Sequence, residues 1–212
     1  MKTQQQLLEK SEELLKTERE KYSLGYKYVG GADEAGRGPL AGPVVAACVV
    51  MPQDDIILGI DDSKKISEKK RETLYEEIMN KAVSVGIGIV EKDVIDDINI
   101  LSAARLAFEK AINSMKIKPD YIFTDAMDKL NIDIPYEAVI KADAKIYCVG
   151  AASIVAKVTR DRIMREIDKE YPQYGFAKHK GYGTKQHTQA ILEYGVTPYH
   201  RMTFLKKLLG TK

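Results

Sequence analysis

Two extended segments joined by a glycine-rich turn dominate the sequence between residues 28 and 51. Residues 28–33 have the composition of a strand that ends at an acidic pair. Residues 43–51 contain the longest apolar run of the chain, which is rich in valine. This run is far shorter than the ~18 residues of a membrane span, so it predicts a buried strand. We therefore expect the chain to fold around a sheet that begins with these two strands.

The rest of the chain alternates between helical and extended patterns. Further strands are predicted at residues 82–90, 121–124 and 137–141. Helices are predicted at residues 3–21, 67–80, 99–114, 151–171, 184–194 and 204–209. Strands in hairpin order, followed by strands that alternate with helices, indicate a mixed α/β sheet with helices on both faces. In such sheets, functional side chains gather where the strands end.

The composition narrows the class of protein. With 212 residues, 44% of them apolar and 30% charged, the chain suits one large domain or a domain with an appendage, and it is not expected to be disordered. The N-terminal residues do not resemble a secretory signal. Cys48 and Cys148 lie in apolar runs, without metal-ligand spacing to another cysteine or a histidine. These features predict a cytoplasmic protein without a disulfide framework, a zinc site or a membrane span.

Charge is unevenly distributed along the chain. Residues 157–212 contain 12 Lys and Arg against 5 Asp and Glu, whereas the rest of the chain is acidic. A basic end joined to an acidic body suits a protein that binds a polyanion and holds cations with carboxylates. A solvated helical surface would explain the asymmetry equally well, so charge alone leaves both interpretations open.

The densest chemical signal is the acidic pair Asp33 and Glu34 at the end of the first predicted strand. Neighbouring strand residues point to opposite faces, so the two carboxylates can share a site only if the backbone kinks there. Gly36 and Gly38 follow closely and would permit such a kink. The turn lacks the features of a Walker A loop and the glycine spacing of a dinucleotide-binding turn. An ordinary turn remains the alternative at this point.

Two further acids follow predicted strands. Asp125 comes directly after the strand at residues 121–124, and Asp143 follows the strand at residues 137–141. Each alone is typical of a turn or a helix cap, but three strand ends could bring both together with Asp33. Clustered carboxylates repel unless cations neutralise them, and hard oxygen ligands favour Mg²⁺ or Mn²⁺. Two such ions can activate a water and stabilise the leaving oxygen of a phosphodiester.

Six motifs occur in the order in which bacterial ribonuclease HII contains them. They are DEAGRG at residues 33–38, LAGPVVAA at 40–47, DSK at 62–64, AASIVAKVTRD at 151–161, GYGT at 181–184 and HRMTF at 200–204. From about residue 26 to residue 204, the chain therefore resembles the ribonuclease HII family. The related ribonuclease HIII group is less similar, because it usually lacks the arginine of the Gly-Arg-Gly turn. Ala126 and Ala142 depart from the pattern, since the family often has glycine at both positions, and the backbone beside these residues could differ.

The resemblance implies an α/β protein with a ribonuclease H-like fold: a central five-stranded mixed sheet, flanking helices and a small helical C-terminal part. It also implies three segments. These are an N-terminal helical extension at residues 1–25, a catalytic core at 26–170, and a helical C-terminal part at 171–212 that contributes to substrate binding.

The resemblance further implies which residues form the site. The catalytic, metal-binding acids would be Asp33, Glu34, Asp125 and Asp143. The substrate-binding residues would be Gly36, Arg37, Gly38, Lys64 and Tyr182. In this scheme the backbone of the Gly-Arg-Gly turn recognises a ribonucleotide 2′-OH, Lys64 lies near the substrate phosphate, and Tyr182 stacks at the RNA–DNA junction.

The expected activity is that of an endoribonuclease. It would hydrolyse the RNA strand of RNA–DNA hybrids and incise at single ribonucleotides in duplex DNA, with Mg²⁺ or Mn²⁺ as cofactor, leaving 5′-phosphate and 3′-hydroxyl ends. Its partners would be these nucleic acids, and it is expected to be a monomer. Two alternatives stay open: a two-metal DNA nuclease that needs no 2′-OH reader, and a non-catalytic module that binds hybrids through the basic C-terminal part. The set of four acids argues against the second.

The basic segment carries further candidates. Lys178 and Lys180 are predicted to contact phosphates, because lysines neutralise backbone charge without reading sequence. His179 and His187 are predicted at the surface. The histidine–arginine pair that begins the HRMTF motif either forms hydrogen bonds in the core, which we favour, or contacts phosphate.

Overall fold

The computed structural model of the protein describes residues 3–210 and contains one five-stranded sheet. The strands are β1 (Val29–Ala35), β2 (Val44–Val50), β3 (Ser84–Val90), β4 (Tyr121–Asp125) and β5 (Tyr136–Val139). Their order across the sheet is β3-β2-β1-β4-β5. The central strand β1 pairs antiparallel with β2 and parallel with β4, so β1 and β4 end at the same edge of the sheet.

Eight α-helices accompany the sheet within the described residues. They are α1 (Gln4–Ser23), α2 (Glu68–Lys81), α3 (Lys92–Ile98), α4 (Ile100–Ser114), α5 (Tyr147–Glu170), α6 (Phe176–His179), α7 (Lys185–Tyr194) and α8 (Met202–Leu209). The sequence pattern predicts these elements to within a few residues, except for α3 and α6. Both are too short to show a helical period.

Different helices bury the two faces of the sheet. β2 is buried along its whole length. Ala47 and Val49 of β2 pack in one apolar cluster with residues of α5, whereas Ala46 and Cys48 pack in another with residues of α4. This alternation is the two-residue period of a strand. The predicted mixed sheet with helices on both faces is confirmed.

The longest helix, α5, lies directly against the central strand. A Cβ atom added at Gly31 of β1 would lie 2.2 Å from backbone atoms of Cys148 and Val149, so only glycine permits this approach. Asp143 lies in the 3₁₀ helix Ala142–Ala144, just before α5 begins. The close packing of α5 on β1 therefore fixes where Asp143 lies relative to the end of β1.

The N-terminal helix α1 is anchored to the rest of the fold. Leu14 and Leu15 are buried in the same apolar cluster as residues of α5. Glu18 is buried, and its Oε1 accepts a 2.6 Å hydrogen bond from the backbone N–H of Cys148 in the first turn of α5. The N-cap residue of α5, Ile146, forms no side-chain cap, so a residue of α1 supplies this hydrogen bond. Burial raises the pKa of Glu18 to about 7.

The C-terminal part has an apolar cluster of its own. Tyr174, Phe176 and Leu205 are buried there together with Met164 of α5. Asp96 of α3 accepts hydrogen bonds from the first turn of α8, which fixes the last helix on the body of the protein.

No helix in the described part of the chain is long and apolar enough to cross a membrane. The division into segments at residues 1–25, 26–170 and 171–212 remains a prediction.

Candidate active site

Three carboxylates meet at the edge of the sheet where β1 and β4 end. One oxygen atom each from Asp33, Asp125 and Asp143 lie within 4.8 Å of one another. β1 and β4 are parallel neighbours, so Asp33 and Asp125 lie side by side, and the 3₁₀ helix after β5 brings Asp143 to them. The backbone N–H of Ala142 donates a 2.8 Å hydrogen bond to Asp125 Oδ1 and holds that carboxylate in place. The structure thus brings together the three acids that the sequence places at strand ends.

Glu34 follows Asp33 on β1, but it is not one of the three acids whose oxygens lie within 4.8 Å of one another. β1 pairs with β2 in regular register through Asp33, Glu34 and Ala35, so the two acids lie at the same end of the sheet without a break in the strand pairing. The chain turns only after Ala35, at Gly36, where φ is +102°. Glu34 Oε1 accepts a 3.2 Å hydrogen bond from Arg37 Nη1. Its other oxygen, Oε2, is buried without a hydrogen-bond partner among the described residues.

The surroundings of these acids disfavour their charge. Burial, followed by the neighbouring Glu34, raises the pKa of Asp33 well above its ordinary value. Burial also raises the pKa of Glu34, although the Arg37 guanidinium opposes this rise. Burial and the Asp125 carboxylate raise the pKa of Asp143. Desolvation and mutual repulsion of this kind are relieved when a cation binds.

The donor set fits divalent metal ions. The site offers several carboxylate oxygens at one edge of the sheet, and one buried oxygen, Glu34 Oε2, has no partner within the described residues. Oxygen-only ligand sets of this kind suit Mg²⁺ and Mn²⁺. The residues that could hold such ions are Asp33, Glu34, Asp125 and Asp143.

Lys64 lies close to the acids. It belongs to the 3₁₀ helix Ser63–Lys65, which is fixed by a buried 2.9 Å hydrogen bond between the hydroxyls of Ser63 and Ser153. Partial burial lowers the pKa of Lys64, but the carboxylates of Asp143 and Asp33 outweigh this effect and raise it above the ordinary value. The ammonium group is therefore charged at neutral pH, and its charge interacts with the carboxylate cluster.

The turn between β1 and β2 is held from the interior by Arg201. This side chain is fully buried. Its guanidinium donates four hydrogen bonds to backbone carbonyl oxygens of the turn: to Gly36 at 2.7 Å, Pro39 and Gly42 at 2.9 Å, and Arg37 at 3.2 Å. A single rigid fork of donors therefore fixes the inner side of the turn.

The outer side of the turn keeps backbone donors free. Among the described residues, the N–H groups of Arg37 and Gly38 have no hydrogen-bond acceptor. Both residues are exposed. The turn thus presents two backbone N–H groups to the solvent a few residues from Glu34.

Arg160 of α5 connects this turn to the loop that carries Tyr182. Its Nε and Nη2 donate to the carbonyl oxygens of Pro43 and Ala41, at 2.9 and 3.0 Å. Its Nη1 donates a 2.9 Å hydrogen bond to the carbonyl oxygen of Lys180. Arg160 is fully buried, so it joins the two loops from the interior.

The Tyr182 ring lies over the glycine turn. Its Cε1 atom would be 3.6 Å from a Cβ atom built at Gly38. Next to it, the backbone N–H of Leu40 donates a 2.8 Å hydrogen bond to the carbonyl oxygen of Gly181. Tyr182 as a residue is 44% exposed. The structure therefore places the two predicted substrate-contacting elements beside each other at the surface.

Comparison with known proteins identifies the family. A family model for ribonuclease HII matches residues 30–207. The chain belongs to the ribonuclease HII family. It is 54% identical to the ribonuclease HII of Acetivibrio thermocellus, a match that covers 91% of this chain and 75% of that protein. It is 53% identical to the ribonuclease HII of Clostridioides difficile, covering 95% and 81% of the two chains.

A solved structure agrees with this assignment. Ribonuclease H2 from Pyrococcus horikoshii OT3 superimposes with a TM-score of 0.73 at 31% identity, covering 86% of this chain and 97% of that one. The predicted family and the ribonuclease H-like fold are confirmed. The protein is a metal-dependent type 2 ribonuclease H, which hydrolyses the RNA of RNA–DNA hybrids.

Several residues in the C-terminal part are buried in the protein, although the sequence predicted them at the surface or in contact with phosphate. His179 and His187, predicted at the surface, are buried. Lys180 is buried as well, and its ammonium donates to a backbone carbonyl and lies 3.5 Å from Glu68. Its predicted phosphate contact is therefore wrong, because its charge is already used inside the fold. Lys178 is exposed and stays a candidate.

The two buried arginines that organise the site were not predicted from the sequence. The histidine–arginine pair of the HRMTF motif lies in the core, as favoured, but the four carbonyl contacts of Arg201 have no local signature. The burial of Arg160 could have been predicted from the helical period. It lies four residues from Ala156 and from Met164, both of which are buried, and so it lies on the same face of α5. A charged residue on a buried helix face must find partners, and here the partners are loop carbonyls.

Proposed function

We propose that this ribonuclease HII also incises at single ribonucleotides embedded in duplex DNA, and that its four acids bind two Mg²⁺ or Mn²⁺ ions. The observation that carries the proposal is the adjacency of three features on one side of the molecule. The carboxylate cluster lies at the end of β1, the Gly-Arg-Gly turn follows it directly, and Tyr182 lies over that turn.

The role we assign to the acids is to hold the cations. Asp33 would be a central ligand, because it lies on the central strand and its charge interacts with both Glu34 and Asp125. Glu34, with its unpartnered Oε2, and Asp143 complete the ligand set. When bound, the two cations supply an activated water and stabilise the leaving oxygen of the phosphodiester, which gives 5′-phosphate and 3′-hydroxyl ends.

The role we assign to the Gly-Arg-Gly turn is recognition of the ribose. The free N–H groups of Arg37 and Gly38 can donate to a 2′-OH, the group that distinguishes RNA from DNA. Arg201 holds the carbonyl side of the turn, so the donors are in place before the substrate arrives.

Lys64 and Tyr182 complete the substrate contacts in this proposal. The Lys64 ammonium interacts electrostatically with the carboxylates and is suited to a phosphate of the cleaved strand. The exposed Tyr182 ring offers a flat apolar face to the deoxyribose on the DNA side of the junction.

The test is cleavage of three matched duplexes: one with a single ribonucleotide, one with a long RNA–DNA hybrid and one of DNA alone. With Mg²⁺ or Mn²⁺ we expect mapped cuts at the ribonucleotide and within the hybrid, and an intact all-DNA duplex. Equal cutting of the all-DNA duplex would favour the DNA nuclease instead. Binding without metal-dependent turnover would favour the non-catalytic module.

A second measurement tests the role of Tyr182. Stacking on nucleic acid contributes ~1–3 kcal/mol, so Tyr182→Ala should lower the rate at a single ribonucleotide about ten- to a hundredfold. The loss within a long hybrid should be smaller, because no deoxyribose adjoins the cut there. Tyr182→Phe should be mild if stacking dominates. Equal losses on both substrates together with early melting would show that the tyrosine only packs.

A further inference from the structure

The three histidines of the C-terminal part form a buried group beneath Tyr182. His187 and His200 are fully buried, and His179 is nearly so. The rings of His179 and His187 stack with centroids 4.5 Å apart, and the Phe176 ring lies 5.3 Å from His187. Neither the carboxylate cluster nor the substrate contacts described above involve these rings.

A chain of hydrogen bonds runs through two of the rings. At one end, the backbone N–H of Thr197 donates to His200 Nδ1 at 2.8 Å. In the middle, the Nε2 atoms of His200 and His187 are 3.0 Å apart. At the other end, His187 Nδ1 lies 3.0 Å from the backbone carbonyl oxygen of Tyr182.

Backbone groups at both ends fix the direction of this chain. A backbone N–H only donates, so His200 Nδ1 accepts, and the proton of that ring lies on Nε2. A carbonyl only accepts, so His187 Nδ1 carries the proton of its ring, and its Nε2 accepts from His200. Each ring therefore holds one proton, and a second proton on either ring would place two donors face to face.

Burial keeps both rings neutral. It lowers the pKa of His187 and of His200 to about 4. The titratable groups that face the pair are the His179 ring, stacked on His187, and the Tyr174 ring, whose centroid lies 5.4 Å from that of His200. Neither brings a negative charge to the pair at neutral pH.

The histidine group is not a metal site, because all six ring nitrogens already have hydrogen-bond partners. His179 Nδ1 accepts from the backbone N–H of Gly181 at 3.2 Å, and its Nε2 donates to the carbonyl oxygen of Tyr174 at 2.7 Å. Two consecutive residues of the loop, Gly181 and Tyr182, are thus each held by a histidine from the interior.

We propose that His187 and His200 are positioning residues that hold Tyr182 over the Gly-Arg-Gly turn and thereby set the preference for an RNA–DNA junction. This inference rests on the proposed role of Tyr182. The His187 side chain fixes the carbonyl of Tyr182, and Thr184, which caps α7, accepts the N–H of His187, so the helix and the loop are tied together. The Tyr182 carbonyl also accepts from the N–H of Thr184 at 2.8 Å, so His187 and the start of α7 together fix the backbone that carries the exposed ring beside Gly38.

The experiment is a double-mutant cycle read on two substrates. His187→Ala should lower the rate at a single ribonucleotide about tenfold more than the rate within a long hybrid. This loss does not exceed the loss expected when the stacked Tyr182 ring itself is removed. In the Tyr182→Ala background the extra loss should disappear, because the ring that His187 positions is absent. His187→Asn, whose amide can donate near the position of Nδ1, should restore most of the preference.

A matched control separates positioning from stability. Phe176→Leu removes a buried ring from the same cluster without touching the hydrogen-bond chain, so it should lower Tm but leave the ratio of the two rates unchanged. Equal losses on both substrates in His187→Ala, or losses that add to those of Tyr182→Ala, would overturn the inference. If Tyr182→Ala itself shows no preference for either substrate, the proposed role of Tyr182 fails, and the inference fails with it.

A measurement on the unmodified protein keeps the inference testable if His187→Ala does not fold. Long-range ¹H–¹⁵N correlation spectra should show His187 protonated on Nδ1 and His200 protonated on Nε2 at neutral pH. A His187 ring protonated on Nε2 could not donate to the Tyr182 carbonyl and would overturn the inference.

Discussion

The carboxylate cluster and the two buried arginines carry opposite charges, and they differ in how many hydrogen-bond partners the fold gives them. Arg160 and Arg201 together donate seven hydrogen bonds to backbone carbonyl oxygens. By contrast, Glu34 Oε2 has no partner among the described residues, and Asp33 has a raised pKa. Removing a buried charge that has hydrogen-bond partners leaves those partners unpaired and destabilises the fold. Neutralising a charge that is repelled by its neighbours removes that repulsion. The comparison therefore separates structural residues, Arg160 and Arg201, from candidate ligand-binding residues, Asp33 and Glu34.

Burial affects the arginines without removing their charge. It lowers the pKa of Arg160 to about 10 and that of Arg201 to about 9. Both guanidinium groups are therefore charged at neutral pH and keep all of their donors. Both guanidinium groups donate their hydrogen bonds to loop carbonyl oxygens inside the fold, and both are buried away from the substrate.

The largest effect we expect is the loss of activity in Asp33→Asn. This change removes one of the charges that we propose to hold the cations, and it should lower cleavage at least about a thousandfold while the fold is retained. Cleavage rate and circular dichroism are the measurements. Asp128→Asn is the matched control, because Asp128 is exposed and pairs with Arg105 at 3.3 Å. Near-normal metal-dependent activity in Asp33→Asn would contradict the assignment.

Arg201→Met should have the largest effect on stability. It keeps an apolar stem but leaves four backbone carbonyl oxygens without their donor, so the free energy of unfolding should fall by about 3–5 kcal/mol. Denaturant unfolding measures this directly. Arg37→Met in the same turn is the control: its side chain is 48% exposed, and its removal should change stability by less than about 0.5 kcal/mol. Equal effects would show that Arg201 does not hold the turn.

Alanine substitutions at two glycines measure how tightly the turn between β1 and β2 is packed against Arg160. Gly36 and Gly25 have similar φ angles, +102° and +97°, so alanine is strained at either position. A Cβ at Gly36 would lie 2.2 Å from Arg160 Nε and 2.7 Å from the carbonyl oxygen of Pro43, whereas nothing lies within 4 Å at Gly25. We expect Gly25→Ala to cost about 1 kcal/mol and Gly36→Ala about 2–4 kcal/mol. Equal costs in thermal unfolding would rule out a tightly packed turn.

The smallest effect concerns the exposed lysine. Lys178→Ala should weaken binding to every duplex alike and lower the salt slope of binding by about one, as for one lost phosphate contact. Lys180→Ala should instead lower Tm, because that side chain is buried. Titrations of uncleaved substrate at several salt concentrations distinguish the two. An unchanged slope in Lys178→Ala would place Lys178 outside the substrate contacts.

The sequence predicted the features that depend on local patterns. Strand and helix periods gave the mixed sheet, and acids at three strand ends pointed to the edge where Asp33, Asp125 and Asp143 meet. The features it missed depend on contacts between distant residues. Glu18 bonds to the first turn of α5 across 130 positions, and Arg201 reaches a turn more than 150 residues away. Such contacts leave no period in the sequence.

Charge composition pointed to the kind of partner but not to the residues that meet it. The excess of Lys and Arg after residue 156 suggested a polyanion partner, and RNA–DNA hybrids are polyanions. Yet Arg162 and Arg165 pair with Glu72 of α2, and Arg160 and Arg201 are buried. A count of charges cannot show which of them are already neutralised inside the fold.

The central claim is that the acids at the ends of β1 and β4 bind cations, because burial raises the pKa of Asp33 and leaves Glu34 Oε2 without a partner among the described residues. Thermal unfolding of the wild type and of Asp33→Asn across a Mn²⁺ titration tests it most directly. Without metal, Asp33→Asn should melt at the same temperature as the wild type or higher, because one repelling charge is gone. With Mn²⁺, the Tm of the wild type should rise as the ion binds the folded state, and that of Asp33→Asn should rise far less. Equal rises in both proteins would contradict the claim.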